Sequence, residues 1–289
     1  VTHLPYEVVD VFTDRPFAGN PLAVVFGGQR LAARQLQAVA GEFNLSETVF
    51  VLPPTQPGAT YRARIFTPAA ELPFAGHPSV GAAVTVVRRG MAPATGGVVQ
   101  ECGAGLLPLA VDGDRATLTG GSPTIGPELP VGPLLAAVGL TASDLAGPPP
   151  RAAGCGLEFP FLPVRSEALA RAAVDSAAAR SHRVSQVSVV AWDPDRRLAR
   201  VRVFVPGLGV PEDPATGSAA LGLGVWLVAS GLLPADGESA YLVSQGVELG
   251  RPSRLAGTVT AAGGVAVSAT VTGAVVPIAR GEIAIPPAE

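Results

Sequence analysis

Three titratable side chains stand where a fold can use them. His77 lies between Gly76 and Pro78, Asp213 lies between Glu212 and Pro214, and each dipeptide opens an apolar run. Glu47 opens another apolar run directly after Asn44-Leu45-Ser46. A carboxylate set against hydrophobic walls has its charged form disfavoured, so its pKa is expected to move toward neutrality, where it can shuttle a proton. A helix start offers unpaired backbone N–H groups and a partial positive charge to a small anion. Ser46, Gly76, Gly217 and Ser218 neighbour these groups and could add hydroxyl or backbone donors for a carboxylate. Together they spell acid–base chemistry beside an anion cradle. Each residue also has an ordinary use: aspartate is among the best helix caps, a strand-end glutamate can point at solvent, and serine and glycine are common in turns. Histidine is a poor cap, so the ordinary use is weakest for His77.

The elements that must position these groups come as two copies of one unit. Arg64-Ile65-Phe66-Thr67-Pro68, followed by Gly76-His77-Pro78-Ser79-Val80-Gly81-Ala82, recurs as Arg202-Val203-Phe204-Val205-Pro206 followed by Asp213-Pro214-Ala215-Thr216-Gly217-Ser218-Ala219. Each copy reads as a strand, a broken turn and a helix whose first residue is proline, which makes His77 and Asp213 equivalent. The expected helices cover residues 78–89 and 214–230 and stop at Gly90 and Gly231. Both interiors are apolar on every side, so both helices must be buried on every side. A curved sheet wrapped round one central helix, made twice, satisfies this. If the two units pack face to face, the helix starts meet across a cleft.

The expected fold is therefore α/β (α+β), with two pseudo-symmetric lobes, each a curved mixed β-sheet round a buried α-helix. Residues 119–127 carry three glycines and two prolines and mark the expected lobe boundary. The first lobe then covers residues 1–118 plus a returning 277–289, and the second covers 119–276. Periodicity predicts strands over residues 7–12, 20–26, 47–52, 61–66, 98–101, 106–111 and 116–118, with a helix over 31–43. Beyond the boundary it predicts helices over 134–138 and 168–179, strands over 187–192, 199–204, 240–245, 254–261 and 266–272, and a closing strand within 275–286.

Composition removes several classes of function. Net charge is −3 and charged residues make up 15 % of the chain, with no basic patch, so nucleic acid is not an expected partner. All 20 basic residues are arginine, which rules out Schiff-base lysines, pyridoxal phosphate attachment and a Walker-type loop. Cys102 and Cys155 are too few for a disulfide framework and form no metal-ligand spacing with His3, His77 or His182. Neither a Gly-x-Ser-x-Gly elbow nor a Gly-x-Gly-x-x-Gly loop occurs. No signal peptide is visible, and the longest apolar run, residues 219–229, is short for a bilayer, so a soluble cytoplasmic protein without membrane partners is expected.

Five motifs in order along the chain resemble the phenazine-biosynthesis PhzF family. They are Asp10-Val11-Phe12 with Phe17-Ala18-Gly19-Asn20-Pro21-Leu22, Leu45-Ser46-Glu47-Thr48, Arg64-Ile65-Phe66-Thr67-Pro68 with Glu71-Leu72-Pro73-Phe74-Ala75-Gly76-His77-Pro78, Glu212-Asp213-Pro214-Ala215-Thr216-Gly217-Ser218, and Ser244-Gln245-Gly246 with Gly250-Arg251-Pro252-Ser253. The resemblance implies a diaminopimelate epimerase-like fold, a homodimer, and isomerisation of a compound like trans-2,3-dihydro-3-hydroxyanthranilate without cofactor or metal. It implies that Glu47 moves the proton, that Asp213 and His77 hold amino and hydroxyl groups and relay protons, and that Ser46, Gly76, Gly217 and Ser218 cradle the carboxylate. In those epimerases two cysteines sit at the helix starts, and neither Cys102 nor Cys155 falls there. Two rival expectations remain: an epimerase or racemase pairing Glu47 with His77 or Asp213, and a non-catalytic metabolite-binding or scaffold protein.

Overall fold

Residues 3–206 and 211–287 are described by the computed structural model. The chain divides into two compact units, Val1–Leu118 with Thr272–Glu289, and Thr119–Val271.

In the first unit the order is β1 (His3–Val11), β2 (Asn20–Phe26), α1 (Ala33–Phe43), β3 (Glu47–Leu52), β4 (Tyr61–Phe66), β5 (Glu71–Leu72), α2 (Gly76–Arg88), β6 (Thr95–Cys102), β7 (Gly105–Asp112) and β8 (Arg115–Thr119). β1 and β2 are antiparallel, β2 and β3 parallel, β3 and β4 antiparallel, β4 and β6 parallel, and β6, β7 and β8 antiparallel. Parallel neighbours need a crossover, and a helix supplies each one. α1 is amphipathic and packs Leu36, Val39 and Ala40 against Val25, Phe50 and Phe66. α2 has no polar face, and residues 76–86 are all buried. It lies against β1, β2, β3, β6 and β7.

The second unit repeats this ladder. Its elements are β9 (Pro123–Glu128), α3 (Val131–Ala137), β10 (Arg151–Cys155), β11 (Glu158–Pro163), α4 (Ser176–His182), β12 (Val187–Asp193), β13 (Leu198–Phe204), β14 (Glu212–Asp213), α5 (Gly217–Ala229), β15 (Gly237–Gln245), β16 (Ser253–Ala262) and β17 (Val265–Ala284). β10 to β16 reproduce the pairing senses of β1 to β7: antiparallel, parallel, antiparallel, a short hairpin arm, parallel, antiparallel. α5 is buried over residues 217–228 and takes the place of α2. β17 begins in the second unit and ends in the first, where it pairs with β1.

The structure differs from expectation in three places. Residues Pro123–Glu128, for which no strand was expected, form β9 and pair with β10. β10 and β11 carried no periodic signal: β10 is Arg-Ala-Ala-Gly-Cys, and β11 contains Pro160, which lies outside the stretch bonded to β12. The helix expected over 168–179 is broken into a 3₁₀ turn, Ser166–Arg171, and α4, because the Asp175 carboxylate accepts from the Ala177 and Ala178 N–H groups at 2.9 Å each and starts a new helix there.

Enclosing an apolar helix requires strands to approach its backbone. A Cβ on Gly222 would stand 2.6 Å from the Ala153 carbonyl oxygen, and one on Gly224 2.6 Å from the Tyr241 hydroxyl oxygen, which donates to the Ala220 carbonyl at 2.7 Å. Gly222→Ala should therefore destabilise the protein by about 1–3 kcal/mol, through overpacking against backbone that cannot swing away. Gly41→Ala, on the exposed side of α1 with nothing within 4 Å, should stabilise by about 0.5–1 kcal/mol. Thermal and urea unfolding of the two variants should move in opposite directions.

Candidate active site

Asn20 and Glu47 start neighbouring strands in the first unit. β2 and β3 are parallel with Leu22 opposite Glu47, so both residues lie at one end of the sheet. Asn44 caps α1 in the left-handed region (φ 49°), turning the chain so that Ser46 and Glu47 follow directly into β3. At the same end, α2 starts at Gly76 with Ala75 as its cap, which makes His77 the second helical residue and Pro78 the third. His77 Nδ1 is 3.2 Å from Asn20 Nδ2 and 3.5 Å from Glu47 Oε2. The structure thus joins Glu47, His77 and Asn20, with Ser46 and Gly76 adjacent in the chain.

The imidazole is 4 % exposed, whereas the Glu47 side chain keeps 17 % of its surface. Burial drives the His77 pKa down to about 3, and the Pro21 carbonyl only partly opposes this. At neutral pH the ring is uncharged, so its contact with Glu47 is not an ion pair. Nε2 is buried and has no hydrogen-bond partner among the described residues. Buried polar groups are seldom left unpaired, and a polar atom in this state at a helix start suits a ligand.

In the second unit, Asp213 ends β14 and Thr216 caps α5, so Gly217 and the buried Ser218 are its first two residues. Thr216 Oγ1 donates to Asp213 Oδ2 at 2.5 Å. Gln245 ties this turn together: its Nε2 donates to the Asp213 carbonyl at 2.8 Å and to Thr216 Oγ1 at 3.0 Å, and its Oε1 accepts from the Thr216 N–H at 3.2 Å. Gly246 follows at φ 73°, where a Cβ would lie 2.6 Å from the Pro214 carbonyl oxygen. Sequence reasoning gave no role to Asn20, Thr216 or Gln245. Asn20 and Gln245 were visible only as members of short motifs.

The repeat is real, but its register differs from the one expected. Arg64 pairs bidentately with Glu71, both contacts at 2.7 Å, across the β4–β5 hairpin, and Arg202 pairs likewise with Glu212 at 2.8 and 2.6 Å across β13–β14. Phe66 faces Glu71 and Phe204 faces Glu212 in the two ladders. Counting from these clasps, Leu72 corresponds to Asp213, Gly76 to Gly217 and His77 to Ser218. The expected match of His77 with Asp213, with a proline first in each helix, is therefore corrected. Pro78 is inside its helix and Pro214 lies before the cap of its own, so the shared His/Asp-Pro pattern joins positions that are not equivalent. A second anchor shows the same asymmetry. Asn44 and Arg183 are left-handed caps (φ 49° and 56°) at the ends of α1 and α4, so Glu47 corresponds to Gln186.

The sequence profile of the phenazine biosynthesis-like protein family, PhzC-PhzF, matches residues 9–281. The chain belongs to this family. It is 38 % identical to an uncharacterized isomerase of Mesorhizobium japonicum, covering 97 % of this chain and 98 % of the relative. It is 36 % identical to the trans-2,3-dihydro-3-hydroxyanthranilate isomerase of Pseudomonas aeruginosa over 86 % and 88 % of the two chains. Among solved structures, a PhzF-family protein of Bacillus anthracis superposes with a TM-score of 0.88 at 24 % identity over 99 % of this chain and all (100 %) of that one. A hydroxyproline epimerase of Agrobacterium vitis gives 0.70 at 15 % identity over 97 % and 92 %, which shows a shared fold. The fold of this PhzF-family chain is thus the epimerase-like one. Among the described residues no helix is long and apolar enough to cross a membrane.

The depressed His77 pKa has a definite sign in stability. Between about 6.5, the ordinary value, and about 3, the unfolded chain binds a proton at this position that the folded chain does not. Its contribution to stability is therefore fully present above that window and falls as the pH drops through it. His77→Gln should flatten the decline in melting temperature from roughly pH 7 to 4 relative to the parent protein. In parallel, imidazole NMR should show His77 uncharged throughout that range.

Proposed function

We propose that this PhzF-family chain is a cofactor-independent isomerase that moves a proton between two carbons of a small carboxylated metabolite, with Glu47 as the transferring base. The carrying observation is the asymmetry of the repeat: the position that holds Glu47 beside an uncharged His77 in one unit holds Gln186, the residue before β12, in the other. An amide cannot accept a proton at neutral pH, so this position supplies one base and not two. Racemisation by opposed equivalent bases would need a matching acid–base group at both positions. Transfer by one base, which removes a proton from one carbon and returns it to another, needs only Glu47. The reaction is balanced without any redox partner, because the proton and the electron pair both end in the product.

In this reading Ser46 and Gly76 hold the substrate carboxylate at the start of α2, where unpaired N–H groups favour an anion, and His77 addresses another polar group of the substrate. The start of α5, with Gly217, Ser218 and an Asp213 oriented by Thr216 and Gln245, offers donors of the same kind. The finer assignment of substrate follows the Pseudomonas relative: a dihydro-hydroxyanthranilate or a ring carboxylate of the same kind. Support for an enzyme of the isomerase class comes from isomerases at 36–38 % identity over most of the chain.

The test is Glu47→Gln assayed with trans-2,3-dihydro-3-hydroxyanthranilate. The variant keeps the shape of the side chain, and turnover should fall at least about 100-fold while the melting temperature stays near that of the parent. Near-normal turnover in a folded variant would move the base to another residue, Asp213 first. No turnover by the parent would reject the substrate.

A further inference from the structure

We propose that Asn20 is a positioning residue that fixes the tautomer of His77, so that the ring presents an Nε2–H donor, not a lone pair, toward the ligand. Asn20 is fully buried, and its Nδ2 stands 3.2 Å from His77 Nδ1. An amide NH₂ can only donate, so the imidazole nitrogen it meets must accept. A neutral imidazole carries one proton, and with Nδ1 accepting, that proton is on Nε2. Nε2 is the buried ring atom with no partner among the described residues.

Two acceptor groups compete with the Asn20 amide at the ring. Glu47 Oε2 lies farther from Nδ1, at 3.5 Å, than the Asn20 amide does. The Pro21 carbonyl favours a protonated ring, but burial outweighs it and keeps the ring neutral. Asn20 is the first residue of β2, two before the residue that pairs with Glu47, so the strand register that places the base also places the amide.

The chemical consequence concerns recognition. An Nε2–H donates to an acceptor oxygen: a carboxylate, a hydroxyl or the enolate-like oxygen that develops as a proton leaves an adjacent carbon. It offers nothing to a protonated amine. His77 is thereby assigned to an oxygen of the substrate. This second step rests on the function proposed above; the tautomer itself does not.

The experiment is long-range ¹H–¹⁵N correlation of the histidine rings in the full chain at neutral pH, with the His77 signals identified by their loss in His77→Gln. The parent should show a pyrrole-type Nε2 and a pyridine-type Nδ1. In Asn20→Asp the facing oxygens accept, so the proton should move to Nδ1 or the ring should become doubly protonated, and kcat should fall more than KM rises. Asn20→Ala, with no partner for Nδ1, should give a mixed pattern. A protonated Nδ1 in the parent would overturn the proposal, and so would a folded Asn20→Asp with the parent's pattern. If the aspartate variant does not fold, the parent spectrum alone decides. The expected tautomer in a protein that shows no isomerase activity would sink the proposed function and leave this assignment standing.

Discussion

A helix without a polar face cannot sit on a surface. α2 and α5 are apolar round their whole circumference, and that one constraint dictates the rest of each unit. Strands must enclose the helix, which requires a curved ladder with parallel neighbours joined by crossovers, and the backbones must come close, which requires glycine at positions such as Gly222. It also limits where such a helix can act. Its sides are occupied by packing, so its chemistry is confined to an end, and the N-terminal end carries the unpaired donors.

The Arg–Glu clasps translate that constraint into residue positions. Each locks a two-residue arm against the preceding strand, which sets how many residues remain before the helix begins. Arg202 shows how firmly this is built: besides its bidentate pair with Glu212, it donates to the Leu169 and Ala172 carbonyls at 2.7 and 2.6 Å and lies over the Phe204 ring. Its guanidinium is held further above its ordinary pKa by the Glu212 pair. The two units then carry different side chains on one frame: Glu47 and His77 in the first stand where Gln186 and Ser218 stand in the second, and Asp213 stands where the first has Leu72.

Much of this was legible in the sequence. The apolar helices, the need to bury them, the strand opened by Glu47 and the existence of a repeat all follow from pattern, because each is a local property of the chain. What was misjudged depends on partners. His77-Pro78 and Asp213-Pro214 look alike as dipeptides, but the helix start is set by the distance from a clasp that pattern alone does not weigh. β10 and β11 lack strand-like composition and exist because neighbours pair with them. Asn20 carries no signal of its own; its importance comes from a parallel register with β3 and from the burial of His77.

The central claim is that Glu47 and His77, at the start of α2, hold the ligand that reacts. A crystal structure with 3-hydroxyanthranilate tests this most directly, since that compound keeps the amino, hydroxyl and carboxylate groups of the proposed substrate on a ring that cannot isomerise. The account predicts a bound molecule in contact with Glu47 and His77 Nε2, its carboxylate on the N–H groups at the start of α2. A ligand that binds away from Glu47 and His77 would contradict it.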